Sequence, residues 1–457
     1  MLGMKIKSVN PATLDTNGEF DEFTRDALEN ICIDVGSAAE KWGALHVSDR
    51  ASMMLRLSAT LHANKDKYAG LITAEMGKPI RESVSEVEKC AWMAEVYASN
   101  AERWLQEEDV KTEARRTIVS FEPIGTVLAV MPWNFPFWQA LRCAVPAMCA
   151  GNAVILRHSN SVPMCAMAIE ESFEAAGFPK DVFRTVITDH TAVKRMINSR
   201  YINGVSVTGS IDAGREIART AARSIKKCVL ELGGSDPFIV LGDADMQLAC
   251  EKAKEGRNIS SGQSCIAAKR FIVVREAYGE FTEKLIQLTK AVIVGDPKSK
   301  NTEVGPLANS QQLEKLESQV SEAVSKGARV ECGGRRIEGK GYFYEPTVLT
   351  GVKRTMRVAK EEVFGPVSPI IAARNEDDAV RIANSTKYGL GASVWTGDLE
   401  KGEKIARKLQ AGLVYVNGIV KSDPRIPFGG IKESGLGREL SRYGLLEFTN
   451  IKPIVIT

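Results

Sequence analysis

The sequence lacks most of the features that mark metal-binding, secreted or nucleic-acid-binding proteins. Its nine cysteines include no Cys-x-x-Cys pair, and none of them lies at zinc-site spacing from any of the four histidines. No basic segment followed by an apolar stretch opens the chain, and the net charge of +3 comes without a concentrated basic run. These absences argue against a metal site, secretion and a nucleic-acid partner, and they favour free thiols in the cytoplasm.

A long apolar run is missing as well. The most apolar segment, 125–156, is interrupted by three prolines, Asn134 and Arg142. A transmembrane helix needs about 20 consecutive apolar residues. The segment therefore predicts a strand, a loop, a helix and a second strand in a buried core, and we expect no contact with a membrane.

What the chain does contain is an alternation of strand-like and helical patterns. Its 457 residues are enough for two or three domains. Residues 21–104 have helical periodicity, and short apolar runs alternate with amphipathic stretches after them. The strand-like runs are 125–130, 153–156, 182–187, 204–207, 229–232, 238–241, 271–274, 328–331 and 393–396. This pattern predicts an α/β fold of right-handed βαβ units around parallel sheets.

Two further strand-like segments lie outside this series, RRTIVSFEP (115–123) and NIKPIVIT (450–457). They are either ordinary edge strands or strands used in subunit assembly, because an exposed edge invites pairing with another chain.

The stretch SSGQSCIAAKR (260–270) places Cys265 among small residues, directly before a strand-like run. A structural cysteine is usually buried among larger apolar residues, whereas a reactive one needs access to its substrate. Two other residues suit a thiol nucleophile. Asn134 of PWNFP can donate to an oxyanion, and Glu231 of LELGG can activate water. Taken singly, a buried thiol, a turn-forming asparagine and a paired carboxylate explain the three residues equally well.

Signals for a dinucleotide are weaker. No Gly-x-Gly-x-x-Gly sequence follows the first strand. Gly209, Ser210 and Gly214 do lie between a strand and a helix, where backbone N–H groups could hold a pyrophosphate. A plain glycine turn explains these residues nearly as well.

Taken together, seven motifs resemble the aldehyde dehydrogenase superfamily in their order and spacing. They are MPWNFP, AGNAVIL, SVTGS, LELGG, GQSC, EEVFGPV and PFGGIKESGLGRE. The resemblance runs from about Val9 to Lys452. Its details are most similar to a subgroup that includes succinate-semialdehyde and non-phosphorylating glyceraldehyde dehydrogenases.

The resemblance implies an aldehyde dehydrogenase-like α/β fold in three parts. These are a Rossmann-like cofactor domain (1–105, 125–231 and 423–440), an α/β catalytic domain (232–422) and a small β oligomerisation element (106–124 and 441–457). For the two outlying strands it therefore favours assembly into a homo-oligomer, either a tetramer or a dimer.

The resemblance also implies the chemistry. Cys265 would attack an aldehyde to give a thiohemiacetal, whose oxyanion is held by the Asn134 amide and the Cys265 backbone N–H. Hydride transfer to a nicotinamide would leave a thioester, and Glu231 would activate the water that hydrolyses it to an acid. A branch of the family that passes the thioester to coenzyme A commonly lacks this glutamate. The three residues together also disfavour a non-catalytic binding protein of the same fold.

By the same match, ten residues are expected to hold the cofactor. They are Trp133, Arg157, His158, Ser159, Asn160, Gly209, Ser210, Leu232, Glu362 and Phe364. Most family members have Lys-Pro-Ser-Glu where this chain has residues 157–160. A glutamate would repel a 2′-phosphate, whereas Asn160 is neutral and the Arg157 guanidinium would bind it. We therefore expect NADP to be favoured over NAD.

The substrate pocket is expected to include Trp138, Arg142, Ile259, Asp423 and Arg425, although the last two could equally belong to a solvated loop. Arg142 matches an arginine of succinate-semialdehyde dehydrogenases, but Ile259 stands where many of those enzymes have a second arginine. Burying a carboxylate with one partner missing is costly. We therefore expect a small neutral aldehyde such as glyceraldehyde, with succinate semialdehyde as the alternative.

Overall fold

A computed structural model describes residues 5–457. Its strands are β1 (Lys5–Val9), β2 (Thr16–Asp21), β3 (Glu108–Asp109), β4 (Arg116–Pro123), β5 (Thr126–Met131), β6 (Ala153–His158), β7 (Phe183–Val186), β8 (Gly204–Thr208), β9 (Lys227–Glu231), β10 (Asp236–Val240), β11 (Ala268–Val274), β12 (Arg329–Cys332), β13 (Thr347–Thr350), β14 (Val367–Ala373), β15 (Gly391–Trp395), β16 (Leu413–Val416), β17 (Gly435–Leu436) and β18 (Thr449–Ile456).

Its helices are α1 (Arg25–Gly43), α2 (Val47–Ala63), α3 (Lys65–Met76), α4 (Ile80–Leu105), α5 (Pro136–Cys149), α6 (Pro163–Ala175), α7 (His190–Asn198), α8 (Ile211–Arg223), α9 (Met246–Asn258), α10 (Arg275–Lys290), α11 (Ser310–Ser325), α12 (Arg357–Lys360), α13 (Glu376–Asn384), α14 (Leu399–Lys408) and α15 (Ser441–Leu446). Two 3-10 turns, Ile259–Gly262 and Lys432–Ser434, complete the set.

A six-stranded sheet has the order β17-β9-β8-β5-β6-β7. Strands β5 to β9 are mutually parallel where they pair, and β17 is antiparallel to β9. Strands β5, β6 and β8 are buried along their whole length, as a parallel sheet covered on both faces requires. The chain runs from β5 outwards to β7 and then returns to β8 on the other side of β5. The strand order therefore reverses between β5 and β8, and ligands of α/β sheets bind at the carboxyl ends of such strands.

The helical periodicity predicted for residues 21–104 is confirmed by α1 to α4. Helix α1 begins after Thr24, whose hydroxyl accepts a hydrogen bond from the Ala27 N–H. Helix α4 has 26 residues and packs against α2, α3 and α5. Its first turns pass the N-terminus of α5, and this packing brings several polar residues of α4 to the site described below.

A seven-stranded sheet has the order β12-β13-β14-β11-β10-β15-β16. It contains the runs predicted as strands at 271–274 and 393–396, but its inner strand β14 is absent from the sequence-based prediction. Pro369 lies inside β14 and weakens a strand pattern, because proline donates no ladder hydrogen bond. The α/β fold with parallel sheets is confirmed.

A third sheet joins the two outlying segments. Strand β18 pairs with β4 over its full length, from Thr449 opposite Pro123 to Ile456 opposite Arg116. With the order β18-β4-β3, β18 is an edge strand. The residue bounds of the three domains and the assembly into an oligomer stay predictions. Among residues 5–457, no helix is both long enough and apolar enough to cross a bilayer.

Candidate active site

Cys265 lies in a turn whose backbone carbonyls are held by two buried cations. Lys269 Nζ donates to the carbonyl oxygens of Ser264 at 2.7 Å and of Cys265 at 2.6 Å. Arg257 Nη2 donates to the carbonyl oxygen of Gly262 at 2.6 Å. These bonds satisfy acceptors that an irregular backbone would otherwise bury without partners. Arg257 therefore supports the turn and does not line the substrate cavity.

The turn also packs closely on a second segment. Gly262 has a φ of +76°, and a Cβ there would lie 2.3 Å from the Gly365 carbonyl oxygen. This contact joins the turn before Cys265 to the EEVFGPV segment, which carries Glu362 and Phe364. Both features require glycine at position 262.

Asn134 lies beside this turn, at the end of the loop that follows β5. Its side-chain amide donates from Nδ2 to the Gln263 carbonyl oxygen at 2.8 Å, and its Oδ1 accepts from Gln139 Nε2 at 3.1 Å. The start of α5 is fixed by Glu86, whose carboxylate accepts the backbone N–H groups of residues 137 and 138, each at 3.0 Å. Asn134 is thus anchored to Gln263, which lies in the turn two positions before Cys265.

Glu231 ends β9 inside a buried cluster of charged groups. Both of its carboxyl oxygens are buried without a hydrogen-bond partner among residues 5–457. Burial and the nearby Glu439 raise its pKa well above the usual value, against the opposing effect of Arg142 and Arg438. A raised pKa makes the carboxylate a stronger base, as a group that takes a proton from water must be.

Arg142 connects this cluster with the nucleophile. It forms an ion pair with Glu439, and its guanidinium lies 4.5 Å from the centre of the Phe428 ring. Burial opposes its charge, but Glu439, Glu231 and Cys265 together raise its pKa. Glu231 and Cys265 therefore both raise the pKa of the Arg142 guanidinium. The predicted base and the predicted nucleophile thus lie near the same cation.

The thiol of Cys265 is kept largely protonated. Burial raises its pKa to about 12, while Arg142 and Lys269 favour the thiolate. Cys265 is therefore a protonated thiol with two cations nearby, and not a free thiolate.

A cavity of 660 Å³ opens at Cys265. The predicted substrate residues Trp138, Arg142 and Ile259 line it. Asp423 and Arg425 are not among the residues that line it. Arg425 is exposed and pairs with Asp423 at 2.9 and 2.6 Å, so the two side chains satisfy each other outside the cavity.

Sequence reasoning missed several residues of the cavity wall. They are Lys89 of α4, Phe135, Ser264, Ser422 and Phe428. Lys89 is half-buried and donates to Ser422 Oγ at 2.7 Å. No local signal marks Lys89, because it lies in a helix far along the chain from the catalytic motifs.

The predicted cofactor residues line the carboxyl edge of the six-stranded sheet. Trp133 follows β5, Ser159 follows β6, Gly209 follows β8 and Leu232 follows β9. Parallel neighbours end at the same edge, so these four positions lie along one crevice.

The start of α8 suits a pyrophosphate. Ser210 caps this helix by accepting from the Ala213 N–H at 3.2 Å. A Cβ built at Gly209 would meet nothing within 4 Å, so the backbone there is open. Free N–H groups and the positive end of the helix dipole favour an anion at this place. The residues present therefore fit a dinucleotide.

The nicotinamide end of the crevice is built from both sheets. The rings of Trp133 and Phe364 meet edge to face with centroids 6.2 Å apart. Glu362 accepts the Gly234 N–H at 2.8 Å, and a Cβ at Gly233 would lie 2.6 Å from its carboxylate. The two glycines thus allow Glu362 to approach the strand end.

At the adenosine end the four predicted residues differ in what they offer. The Arg157 guanidinium donates to the Thr188 carbonyl oxygen at 2.9 Å and to Asn160 Oδ1 at 3.2 Å. The Ser159 and Ser161 hydroxyls lie 2.9 Å apart.

His158 is turned into the protein and is not available to a phosphate. Its Nε2 lies 2.9 Å from the Pro136 carbonyl oxygen, and its Nδ1 accepts the Ser159 N–H. Burial lowers the pKa of His158 to about 4, so the ring is neutral. We therefore withdraw His158 as a phosphate ligand.

Comparison with known proteins gives a consistent result. A family model described as "Aldehyde dehydrogenase family" matches residues 3–454. A probable NADP(+) succinate-semialdehyde dehydrogenase of Synechocystis sp. is 43% identical over 454 residues, which are 99% of this chain and 100% of the relative. NADP(+) succinate-semialdehyde dehydrogenase 1 of Mycobacterium tuberculosis is 41% identical over 456 residues, again 99% and 100% of the two chains.

A solved structure agrees. The succinic semialdehyde dehydrogenase of Streptococcus pyogenes, determined with NADP+, superposes with a TM-score of 0.97 at 33% identity, over 99% of each chain.

Proposed function

Since the chain belongs to the aldehyde dehydrogenase family and is an NAD(P)-dependent aldehyde dehydrogenase, we propose that it oxidises succinate semialdehyde to succinate with NADP as its preferred cofactor. The relatives reported above carry this activity in their names. These relatives favour the alternative substrate over glyceraldehyde, the aldehyde expected from the sequence.

The observation that carries the proposal is that two cationic side chains, Arg142 and Lys89, reach the cavity at Cys265 from different helices. Arg142 is buried in its wall and Lys89 is half-buried there. The expectation of glyceraldehyde rested on Ile259, which leaves one arginine missing. Lys89 supplies a second cation from another helix, so the cost of burying a substrate carboxylate is offset.

The chain's own residues suggest how the reaction proceeds. Cys265 first loses its proton to solvent, which Arg142 and Lys269 assist by favouring the thiolate. The thiolate Sγ then forms a bond with the aldehyde carbon as the carbonyl π bond breaks, and the Asn134 amide and the Cys265 N–H stabilise the resulting oxyanion. The bound dinucleotide supplies a hydride acceptor. Glu231 in its ionised form then takes a proton from the water that attacks the thioester, releasing the acid and the thiol. Hydrolysis, rather than transfer to coenzyme A, is supported by the presence of Glu231.

The proposed cofactor preference is supported by Arg157, near the end of β6, and by Asn160, which follows that strand. Asn160 places no carboxylate beside the ribose, and Arg157 offers a nearby guanidinium. A 2′-phosphate gains a charge-assisted contact there and meets no repulsion. Trp133, Ser159, Gly209, Ser210, Leu232, Glu362 and Phe364 complete the proposed groove.

The test is a panel of kcat/KM values, measured as reduced cofactor formed. Succinate semialdehyde, glyceraldehyde and butanal are each assayed with NADP and with NAD, and Cys265→Ala serves as the inactive control. We expect succinate semialdehyde with NADP to give the largest value. Asn160→Glu should lower the NADP-to-NAD ratio, because its carboxylate repels the 2′-phosphate. Loss of the Arg157 guanidinium should weaken NADP by roughly tenfold or more, as one charge-assisted contact of about 1.5–3 kcal/mol predicts. A clear preference for glyceraldehyde would refute the proposed substrate.

A further inference from the structure

Building on the proposed function, we propose that Lys89 of α4 is the residue that binds the distal carboxylate of succinate semialdehyde and so determines the preference for an anionic aldehyde. Lys89 lines the same cavity as Cys265 and lies in a different element from every motif of the catalytic site.

Lys89 has no carboxylate at ion-pair distance in the described part of the chain. Among residues 5–457 Lys89 forms no ion pair, and its Nζ donates to one hydroxyl, that of Ser422, at 2.7 Å. The acid closest in sequence to Ser422 is Asp423, which is already paired with Arg425. An ammonium group has three donors, so Lys89 keeps donors for a ligand.

The Lys89 ammonium is held in place by an aromatic ring and a hydroxyl group instead of a carboxylate. The Lys89 ammonium lies 4.3 Å from the centre of the Trp138 ring. The face of an indole ring attracts a cation, although less strongly than a carboxylate does. Trp138 and Ser422 therefore hold Lys89 in position without forming an ion pair with it.

Arg142, the other cation that could bind the substrate carboxylate, already forms an ion pair. It is paired with the buried Glu439 and also faces Glu231 and Cys265. Its Nη2 has no hydrogen-bond partner within 5–457, so it can still donate to a substrate oxygen. Its charge, however, is paired with Glu439, whereas Lys89 forms no ion pair among residues 5–457, and the nearby Asp423 and Glu86 favour its charge only weakly.

The other cations of the wall do not compete with Lys89. Arg81 and Lys421 are exposed. Lys254 is paired with Glu303 at 2.6 Å. Lys89 is the half-buried cation of this wall that forms no ion pair among residues 5–457, and this combination favours an anionic ligand.

The experiment compares Lys89→Met with the wild type in kcat/KM for succinate semialdehyde and for butanal, a neutral aldehyde of the same carbon count. We expect the ratio of the two values to fall by roughly 10- to 100-fold, as the loss of one charge-assisted contact predicts. Most of the change should be in KM for succinate semialdehyde, because the contact lies away from the reacting carbon. Butanal turnover reports that the variant is folded.

Lys254→Met is the matched control. It removes a positive charge from the same wall, but one that Glu303 already compensates, so we expect less than about a threefold change in the ratio. Lys89→Arg keeps a cation and should retain most of the preference. If Lys89→Met does not fold, Lys89→Gln takes its place in the same comparison with Lys89→Arg.

The outcomes separate this inference from the function it rests on. A wild type that prefers succinate semialdehyde, together with a Lys89→Met variant that keeps this preference, overturns the role of Lys89 and assigns the carboxylate to Arg142. A wild type without the preference overturns the proposed function, and the anchor with it.

Discussion

At the scale of single residues, the charges around Cys265 are divided between two tasks. Arg142 and Lys269 favour the thiolate of Cys265. A substrate carboxylate bound to Arg142 would weaken that support, because the two anions would then share one guanidinium. Binding the carboxylate at Lys89 avoids this competition. The separation of the two cations therefore lets an anionic aldehyde bind without making its nucleophile less reactive.

Glu231 is predicted to act only after hydride transfer. Glu231→Gln should therefore release a burst of about one reduced cofactor per active site and then stall as the acyl-enzyme. The substitution keeps the shape of the side chain, so we expect little change in stability. Rapid mixing with absorbance detection measures the burst. Loss of the burst together with steady-state turnover would instead place Glu231 in thiol activation.

The charge of Lys89 also predicts a pH dependence. Burial and the neighbouring Arg142 lower the pKa of Lys89 to about 8, against smaller opposite effects of Cys90, Asp423 and Glu86. Lys89 is therefore charged below this pH and loses its charge above it, while the substrate carboxylate stays ionised.

The ratio of kcat/KM for succinate semialdehyde to that for butanal should consequently fall as the pH rises through about 8. Titration of Cys265 affects both aldehydes and cancels in the ratio. Of the other groups facing Lys89, Arg142 keeps its charge, Asp423 has a lowered pKa and Cys90 a raised one. Lys89→Met should show no such fall in the ratio, and a fall that persists in this variant would exclude Lys89 as its source.

Some of the site residues could be predicted from the sequence and others could not. Cys265, Asn134 and Glu231 lie in short motifs, and the structure brings them around one turn and one guanidinium. Lys89 meets Ser422 from 333 positions away, and such a contact exists only once the helices pack. His158 illustrates the reverse case, because its motif position is right while its ring points into the core.

At the scale of elements, the prediction succeeded for the central strands of the six-stranded sheet but missed β13, β14 and β16 of the seven-stranded one. Strands β5, β6 and β8 are buried on both faces and are found where the sequence indicates them. Strand β14 was missed because Pro369 interrupts its pattern, although tertiary pairing with β11 and β13 keeps it in the sheet. Local pattern and tertiary packing disagree there, and packing prevails.

The turn before Cys265 yields a prediction at this scale. Gly262→Ala places a methyl group against the Gly365 backbone, 2.3 Å from its carbonyl oxygen, at a φ of +76°. Backbone cannot move aside cheaply, so we expect a loss of about 1–3 kcal/mol in the free energy of unfolding. We also expect reduced kcat, because the turn and the segment carrying Glu362 shift apart.

Urea unfolding and steady-state kinetics measure the two effects. Gly279→Ala in α10 is the matched control, since a Cβ there would meet nothing within 4 Å. It should be neutral or stabilising by up to about 1 kcal/mol. If Gly262→Ala matches Gly279→Ala in the free energy of unfolding and in kcat, the contact between Gly262 and Gly365 determines neither stability nor turnover.

At the scale of the whole molecule, the third sheet is small and exposes an edge strand. Strand β18 lies at the edge of its sheet, and Ile451 and Val455 on one of its faces are 59% and 56% exposed. An edge strand with exposed apolar side chains invites pairing with another chain. The homo-oligomer expected from the sequence stays a prediction, and from this exposed edge we predict that its subunits meet through β18.

The assembly is therefore predicted to depend on β18. The double variant Ile451→Lys with Val455→Lys places two charges on its exposed face and should shift the mass in solution towards a smaller species. Charges on edge strands oppose pairing between chains, so this effect needs no change within the fold. Light scattering coupled to gel filtration measures the mass. Ile293→Lys, at a side chain that is 53% exposed elsewhere on the surface, is the matched control and should leave the mass unchanged. A wild type that is already monomeric, or a double variant that keeps the wild-type mass, would show that the subunits do not meet through β18.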